Sequence, residues 1–488
     1  MKLPARPPRT RPLPLARALL LPAALAFAGA ALADAAPDAT PEQKLEQRVE
    51  DLAGQLKELQ AELARLKAER AAEAKAPAPA ATALAAAAPA PSSVPPSSQM
   101  TGATPISSDS KLNLWGYGEV YFTHPVHVPE NSQGDLARAV FGIGYQFDDR
   151  TSFNSEYEVE HGVASADDPG EFEVEQFFVD HQFAPWGSLR AGLFLMPFGL
   201  LNEHHEPTNF YGMQRNFVET LIIPSTWREG GIELNTHTLS GLSLSAGLTT
   251  GFDLSKWDYA PENPPYRNAL ELEINDIAPL QATHQELALA NAQHPSAHLA
   301  INYTGIPGLR VGGAIFSGNA VAVPAPPNAP LPGSMRVTLW EGHTRWTPGG
   351  FDLSAVYARG SISNTAGANL ANPGSPTPIP SAFYGYYVQA AYAEGFQFNG
   401  YRLAPFARYE YYNLGSSYAG LGPDVPTGSV PLSSTPGDYG TWPIAYDRVF
   451  TAGANFYVTP NVVLKLDYQS FDKNRDFDRL DLGLGLAF

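Results

Sequence analysis

The chain has 488 residues, among them 43 glycines, 45 prolines, 22 tyrosines and 25 phenylalanines, yet only 16% of it is charged, against roughly 25% in an ordinary soluble domain. That balance points to many turns and aromatic strands, and the net charge of -18 argues against a nucleic-acid partner held by phosphate neutralisation. With no cysteine, disulfides, thiolate metal sites, a cysteine nucleophile and a lipidated N-terminal cysteine are all excluded.

Residues 1–33 have the pattern of a secretory signal: Lys2, Arg6, Arg9, Arg11 and Arg17 precede an apolar run that ends in Ala31-Leu32-Ala33, a small-x-small cleavage triplet. A short segment, 34–41, follows. Beyond it no apolar run of about 20 residues occurs, so a helical membrane span is not expected. Residues 42–70 place Leu45, Val49, Leu52, Leu56, Leu59, Leu63 and Leu66 at alternating spacings of four and three, a heptad seam that predicts a self-associating α-helical coiled coil. Residues 71–110 are dominated by Ala, Pro and Ser and bury too little to fold, so they predict a spacer.

From Lys111 to Phe488 the period changes to two. In the last segment Leu480, Leu482, Leu484, Leu486 and Phe488 share one face and Asp481, Gly483, Gly485 and Ala487 the other. The rule predicts sixteen strands, near 111–122, 135–147, 150–160, 172–183, 187–196, 228–238, 241–251, 296–304, 308–317, 336–347, 350–361, 384–395, 402–413, 446–457, 460–471 and 478–488. The fourth loses phase between Gln176 and Phe177, as at a bulge, and the tenth fits either face. Short links such as Asp148-Asp149 and Pro348-Gly349 interleave with mostly longer ones. An apolar outward face with sorted loop lengths predicts an all-β fold: a sixteen-stranded antiparallel transmembrane β-barrel, preceded by the short N-terminal coiled coil, in the outer membrane of a Gram-negative cell with its N-terminal segment in the periplasm.

Barrels of this strand number enclose a water-filled channel. Beyond residue 110 lie four Lys and fifteen Arg against 38 acidic residues, a balance that favours cations over anions. Inward parity puts Glu119, Arg138, Glu156, Glu158, Arg190, Glu229, Glu233, Arg310, Arg408, Glu410, Lys465 and Asp467 on the interior wall. The long link 197–227, with Asn202, Glu203, His204, His205, Glu206, Arg215 and Glu219, is a candidate constriction that folds inward and sets an acidic loop against a basic wall. The same acid–base pairs could instead only stiffen the barrel. Imidazole and carboxylate at residues 203–206 suit zinc or copper, but neighbours on an extended strand point to opposite sides, so no metal site is assigned there, and no cofactor. The clusters Tyr384-Tyr386-Tyr387 and Tyr409-Tyr411-Tyr412, with Trp340 and Trp346, read as interfacial girdles. No GxSxG elbow is present, and an enzyme is not expected.

The run Ala191-Gly192-Leu193-Phe194-Leu195-Met196-Pro197-Phe198-Gly199, followed by Pro224-Ser225-Thr226-Trp227 and Glu229-Gly230-Gly231 and by the terminal Phe488, resembles Gram-negative porins, most closely the group loosely related to phosphate-selective porins O and P. The resemblance implies a homotrimer of sixteen-stranded barrels with the third long loop folded into the pore, and a terminal phenylalanine read by the barrel-assembly machinery. The lysine and arginine ladder of the phosphate-selective members has no counterpart here. The resulting expectation is passive diffusion of small hydrophilic solutes and ions, in contact with outer-membrane lipid and lipopolysaccharide. The alternatives are a sugar- or phosphate-specific porin, and a barrel anchor whose coiled coil tethers the outer membrane to peptidoglycan.

Overall fold

The computed structural model describes residues 111–488 apart from 165–169, 260–276, 321–333, 374, 376 and 422–444; ahead of them it describes 104–105 and Lys57. The signal segment, the heptad seam and most of the spacer lie outside the described residues.

Sixteen long strands form the wall: β1 (Leu112–Pro125), β2 (Gln133–Gln146), β3 (Thr151–Glu160), β4 (Phe172–Ala184), β5 (Gly187–Leu195), β6 (Arg228–His237), β7 (Leu242–Thr249), β8 (Ser296–Ile306), β9 (Leu309–Asn319), β10 (Arg336–Trp346), β11 (Phe351–Ile362), β12 (Pro380–Tyr392), β13 (Tyr401–Tyr418), β14 (Tyr446–Thr459), β15 (Val462–Phe471) and β16 (Arg479–Ala487). Each pairs antiparallel with the next, and β16 returns to β1 with Ala487 opposite Tyr117 and Arg479 opposite Pro125, so the sheet closes and has no free edge. The seam is locked by Phe488, whose backbone exchanges hydrogen bonds of 2.8 and 3.0 Å with Gly116. Two short strands add to the wall: Thr104–Pro105 pairs with β1, inside the stretch expected to be spacer, and Phe396–Phe398 pairs with β13. The turn holding that second strand runs from 393 to 400, so β12 ends three residues earlier than its pattern suggests.

Alternation sorts the side chains as the period requires. Leu482, Phe122, Phe141, Phe177, Ile232, Ile315, Trp340, Trp346, Val388 and Phe450 are exposed on the outside, while Arg479, Asp481, Lys465, Asp467 and Glu410 are buried inside. This is the reverse of a soluble barrel, whose polar face meets water. No described helix is long and apolar enough to cross a membrane. Connections at one end are turns such as 185–186 and 460–461; at the other they include 161–171, 196–227, 250–295 and 363–379.

Two expectations need correction, and one open reading is resolved. The interior is not wholly wet: Phe194, Met196, Phe198, Trp227, Phe252, Phe316, Val337, Leu339, Phe383 and Phe471 belong to one buried apolar cluster. That cluster resolves β10, whose odd residues Val337, Leu339, Glu341 and His343 all face inward; its pattern was ambiguous because the inner face is apolar where the long loops pack against it. Tyr387 and Tyr412 are buried inside, so the girdle keeps Tyr384, Tyr386, Tyr409 and Tyr411 and loses those two.

Candidate functional site

The 196–227 loop is folded inside the barrel, and its sequence explains how. At its base Met196 N donates to Trp227 O at 2.8 Å. The Asn202 amide clasps the same base: Nδ2 donates to the Met196 and Trp227 carbonyls, both at 2.8 Å, and Oδ1 accepts from Trp227 N at 2.7 Å. Glu219 is a second staple. Its carboxylate accepts from Leu200 N (2.5 Å), Leu201 N (2.8 Å), Asn216 Nδ2 (2.7 Å) and the Tyr387 hydroxyl on β12 (3.0 Å). Gly199 turns there at φ 69°, and a Cβ would meet Glu219 Oε1 at 2.2 Å, so Pro197-Phe198-Gly199 marks a glycine-dependent corner.

The middle of the loop crosses to the far wall. Gly212 N donates to Asn455 Oδ1 (3.2 Å), Met213 N to Asp467 Oδ2 (2.6 Å) and Phe217 N to Glu410 Oε2 (2.7 Å). Lys465 Nζ lies 3.6 Å from the centroid of the Phe210 ring, a cation–π contact. Gly212, at φ 80°, lets the backbone approach where a Cβ would press on Phe406 and Asp467.

All twelve wall residues face the interior; Arg310 is half-buried and the other eleven are buried. Several pair with one another, Arg138 Nε with Glu119 at 2.6 Å, Arg190 with Glu233 at 3.4 Å and Arg408 with Glu410 at 2.9 Å, and Arg138 and Arg408 also donate to loop carbonyls, of His205, Tyr211 and Gln214. Among the acidic loop residues, Glu203 lies near enough to Arg190 and Arg310 on the wall to feel their charge. Glu206 accepts from Asn209 within the loop at 2.5 Å, and the loop reaches the wall chiefly through its backbone. Of the seven loop residues, Asn202 and Glu219 hold the loop together. Arg215 donates to Thr226 at 3.0 Å, and His205 docks on Tyr117 of β1, with Nε2 2.8 Å from the hydroxyl. Glu203 and His204 are half-buried. Burial raises the Glu203 pKa; burial, with Arg310 nearby, lowers that of His204 to about 4, so this imidazole is neutral at neutral pH.

Two residues that the sequence reading did not single out join this neighbourhood. Opposite Glu156 and Tyr157 the β3–β4 register slips from Gln176 to Val174, leaving Glu175 as the extra residue of a bulge and turning it inward, fully buried. The signal was the loss of phase in the fourth strand. Tyr117 lies on the inner face of β1 and is 3% exposed; the signal for it was its parity with Glu119, two residues on.

Two cavities flank the crossing segment. Near the long loops a cavity of about 310 Å³ is bordered by Glu158, Glu160, Glu171, Glu173, Arg215, Arg228, His284, Glu286 and Arg479. Near the short turns one of about 530 Å³ is bordered by Thr208, Tyr211, Arg345, Asp352, Arg402, Tyr457 and Asn461. They share no lining residue, and Gly212 and Met213, bonded to the wall, lie in the chain between their loop linings. Acids outnumber bases in the first; in the second, two arginines face one aspartate.

No family model matches the chain. A protein of Aquifex aeolicus (strain VF5) described as uncharacterized is 27% identical over 377 residues, covering 75% of this chain and 78% of its own. Among solved structures, Salmonella typhi OmpF in complex with daunomycin is 16% identical, with TM-score 0.48, over 78% of this chain and 98% of its own. The outer-membrane channel DcaP of Acinetobacter baumannii is 10% identical, with TM-score 0.44, over 79% and 100%. The anion-selective porin from Comamonas acidovorans is 10% identical, with TM-score 0.43, over 77% and 98%.

Proposed function

We propose that this chain is an outer-membrane porin: a passive, cation-leaning path for small hydrophilic solutes and ions, narrowed where loop residues 208–217 cross the interior. The observation that carries the reading is the closed barrel with an apolar exterior and ionisable residues on its inner wall. Lipid tolerates a closed sheet because every backbone polar group is satisfied within it, and charged side chains on that wall require water or partners. The acid-rich cavity near the long loops supports the cation lean, and the arginine pair at the other end limits it. A phosphate-specific pore would need a basic path through both cavities, and the first is acidic. Assembly as a homotrimer in contact with lipopolysaccharide, insertion through the barrel-assembly machinery by way of Phe488, and any tether to peptidoglycan through residues 42–70 belong to the same proposal.

Charge selectivity is tested by the reversal potential of the reconstituted full chain under a potassium chloride gradient. The sign should report cation preference, and the double variant Glu160→Gln, Glu171→Gln should lower the cation-to-anion ratio by about twofold; anion preference in the wild type would reject the lean. The exterior is tested separately. Leu482 is 52% exposed, in the middle of β16 opposite Phe122 and Leu466. Leu482→Arg should cost about 2–4 kcal/mol of membrane stability, seen as a lower urea midpoint in liposomes. An unchanged midpoint would mean that this face does not meet lipid.

A further inference from the structure

We propose that Glu156, Glu175 and His205 form a binding site for a divalent ion of the zinc class, fastening the loop to the wall. One donor atom from each lies within 4.8 Å of the other two, and all three residues are buried. Ions of this class bind imidazole nitrogen and carboxylate oxygen at about 2.0–2.2 Å, so small side-chain movements would close the set.

The hydrogen-bond arithmetic points to a missing cation. His205 Nδ1 lies 3.0 Å from the Asn202 carbonyl, which can only accept, so Nδ1 carries a proton and Nε2 is the ring nitrogen that would offer its lone pair to an ion in the cluster. Tyr117 has one hydroxyl hydrogen, yet its oxygen stands 2.6 Å from Glu156 Oε1, 3.2 Å from Glu175 Oε2 and 2.8 Å from His205 Nε2. With Nε2 as an acceptor, three acceptors converge on one proton. Glu175 Oε1 has no hydrogen-bond partner although the residue is 0% exposed, and it lies 3.5 Å from Nε2. Arg138, the nearby guanidinium, is bonded through Nε to Glu119 and through Nη2 to the His205 carbonyl, which leaves only its Nη1 without a partner. A divalent ion would take the lone pairs that the tyrosine cannot serve and offset the carboxylate charge.

An entry path exists. Glu175 also belongs to a second cluster, with Glu158 and Glu173, and those two residues border the acidic cavity at the long-loop end. An ion captured there can pass to the His205 site through Glu175. The consequence is mechanical: two ligands stand on β3 and β4 and the third on the loop, so metal would hold the loop against this wall. The site stands on its own geometry, whether or not the barrel conducts.

The test is titration of the chelator-treated full chain in detergent with Co²⁺ and then Zn²⁺. The wild type should bind one Co²⁺, with visible absorption from a mixed nitrogen–oxygen set, and Zn²⁺ should displace it and slow proteolysis within 203–217. Glu175→Gln and His205→Gln should each weaken binding more than about tenfold, and His294→Gln, at an exposed histidine, should not. If either ligand variant fails to fold, Glu156→Gln supplies the second reading. Absence of Co²⁺ binding by the wild type up to millimolar would overturn the proposal and leave a shared proton as the occupant. Undiminished binding in His205→Gln would overturn it equally.

Discussion

Excising residues 203–217 and bridging the gap with glycines should raise the rate of sugar-driven liposome swelling at least about threefold and admit larger sugars, because the segment occupies interior space that a wall of sixteen strands leaves open. The bonds that hold it across that space include Gly212 to Asn455, Met213 to Asp467 and Phe217 to Glu410, with Arg138 and Arg408 donating to the carbonyls of His205, Tyr211 and Gln214. None is part of the strand ladder, so the barrel should close without them. The base of the loop is retained, since Asn202 still bridges Met196 and Trp227. Swelling that matched the wild type in rate and size limit would show that the segment does not govern passage.

The staples make a second large effect. Glu219→Ala removes an acceptor from two backbone N–H groups, one amide and one hydroxyl in a buried setting. Leaving such donors without partners costs about 1–3 kcal/mol each when they stay dry, so the loop should lose roughly 2–4 kcal/mol after relaxation. Limited proteolysis should then cut within 203–217 at least about tenfold faster, while heat-modified mobility of the barrel on gels stays intact. Asn202→Ala should behave similarly, because it frees the Trp227 N–H and takes one of two donors from the Met196 and Trp227 carbonyls at the loop base. Glu219→Gln should fall between, as its amide can accept through one oxygen only. Equal cleavage rates for Glu219→Ala and the wild type would remove the staple from this description.

Much of the barrel was legible because one face of each strand must be apolar and the other need not be. Period two placed all sixteen strands and sent Glu156, Arg408, Lys465 and Asp467 to the inner wall. It failed where the interior is itself apolar: Val337 and Leu339 on β10 pack on the buried cluster, so neither face of that strand announced itself, and Tyr387 and Tyr412 were assigned to the outside for the same reason. Glu175 shows a different limit. A bulge puts an extra residue on the inner face, and a phase slip reveals that something has shifted but not which side chain gains. The loop was visible as a loop, with its glycine corner and its charge. Its wall contacts were not, because most run through backbone atoms of residues 212–217, whose positions depend on the closed barrel around them. His204 and His205 are adjacent and chemically alike, and only the fold decides that His205 meets Tyr117 and Glu175.

Ions are expected to cross this barrel despite its apolar cluster and its inward loop. Single-channel recording of the purified full chain in a planar lipid bilayer tests it most directly. Discrete, repeated current steps that grow with potassium chloride concentration are expected. Silence from protein shown to be inserted and folded, under every voltage that the bilayer survives, would mean that the interior is sealed.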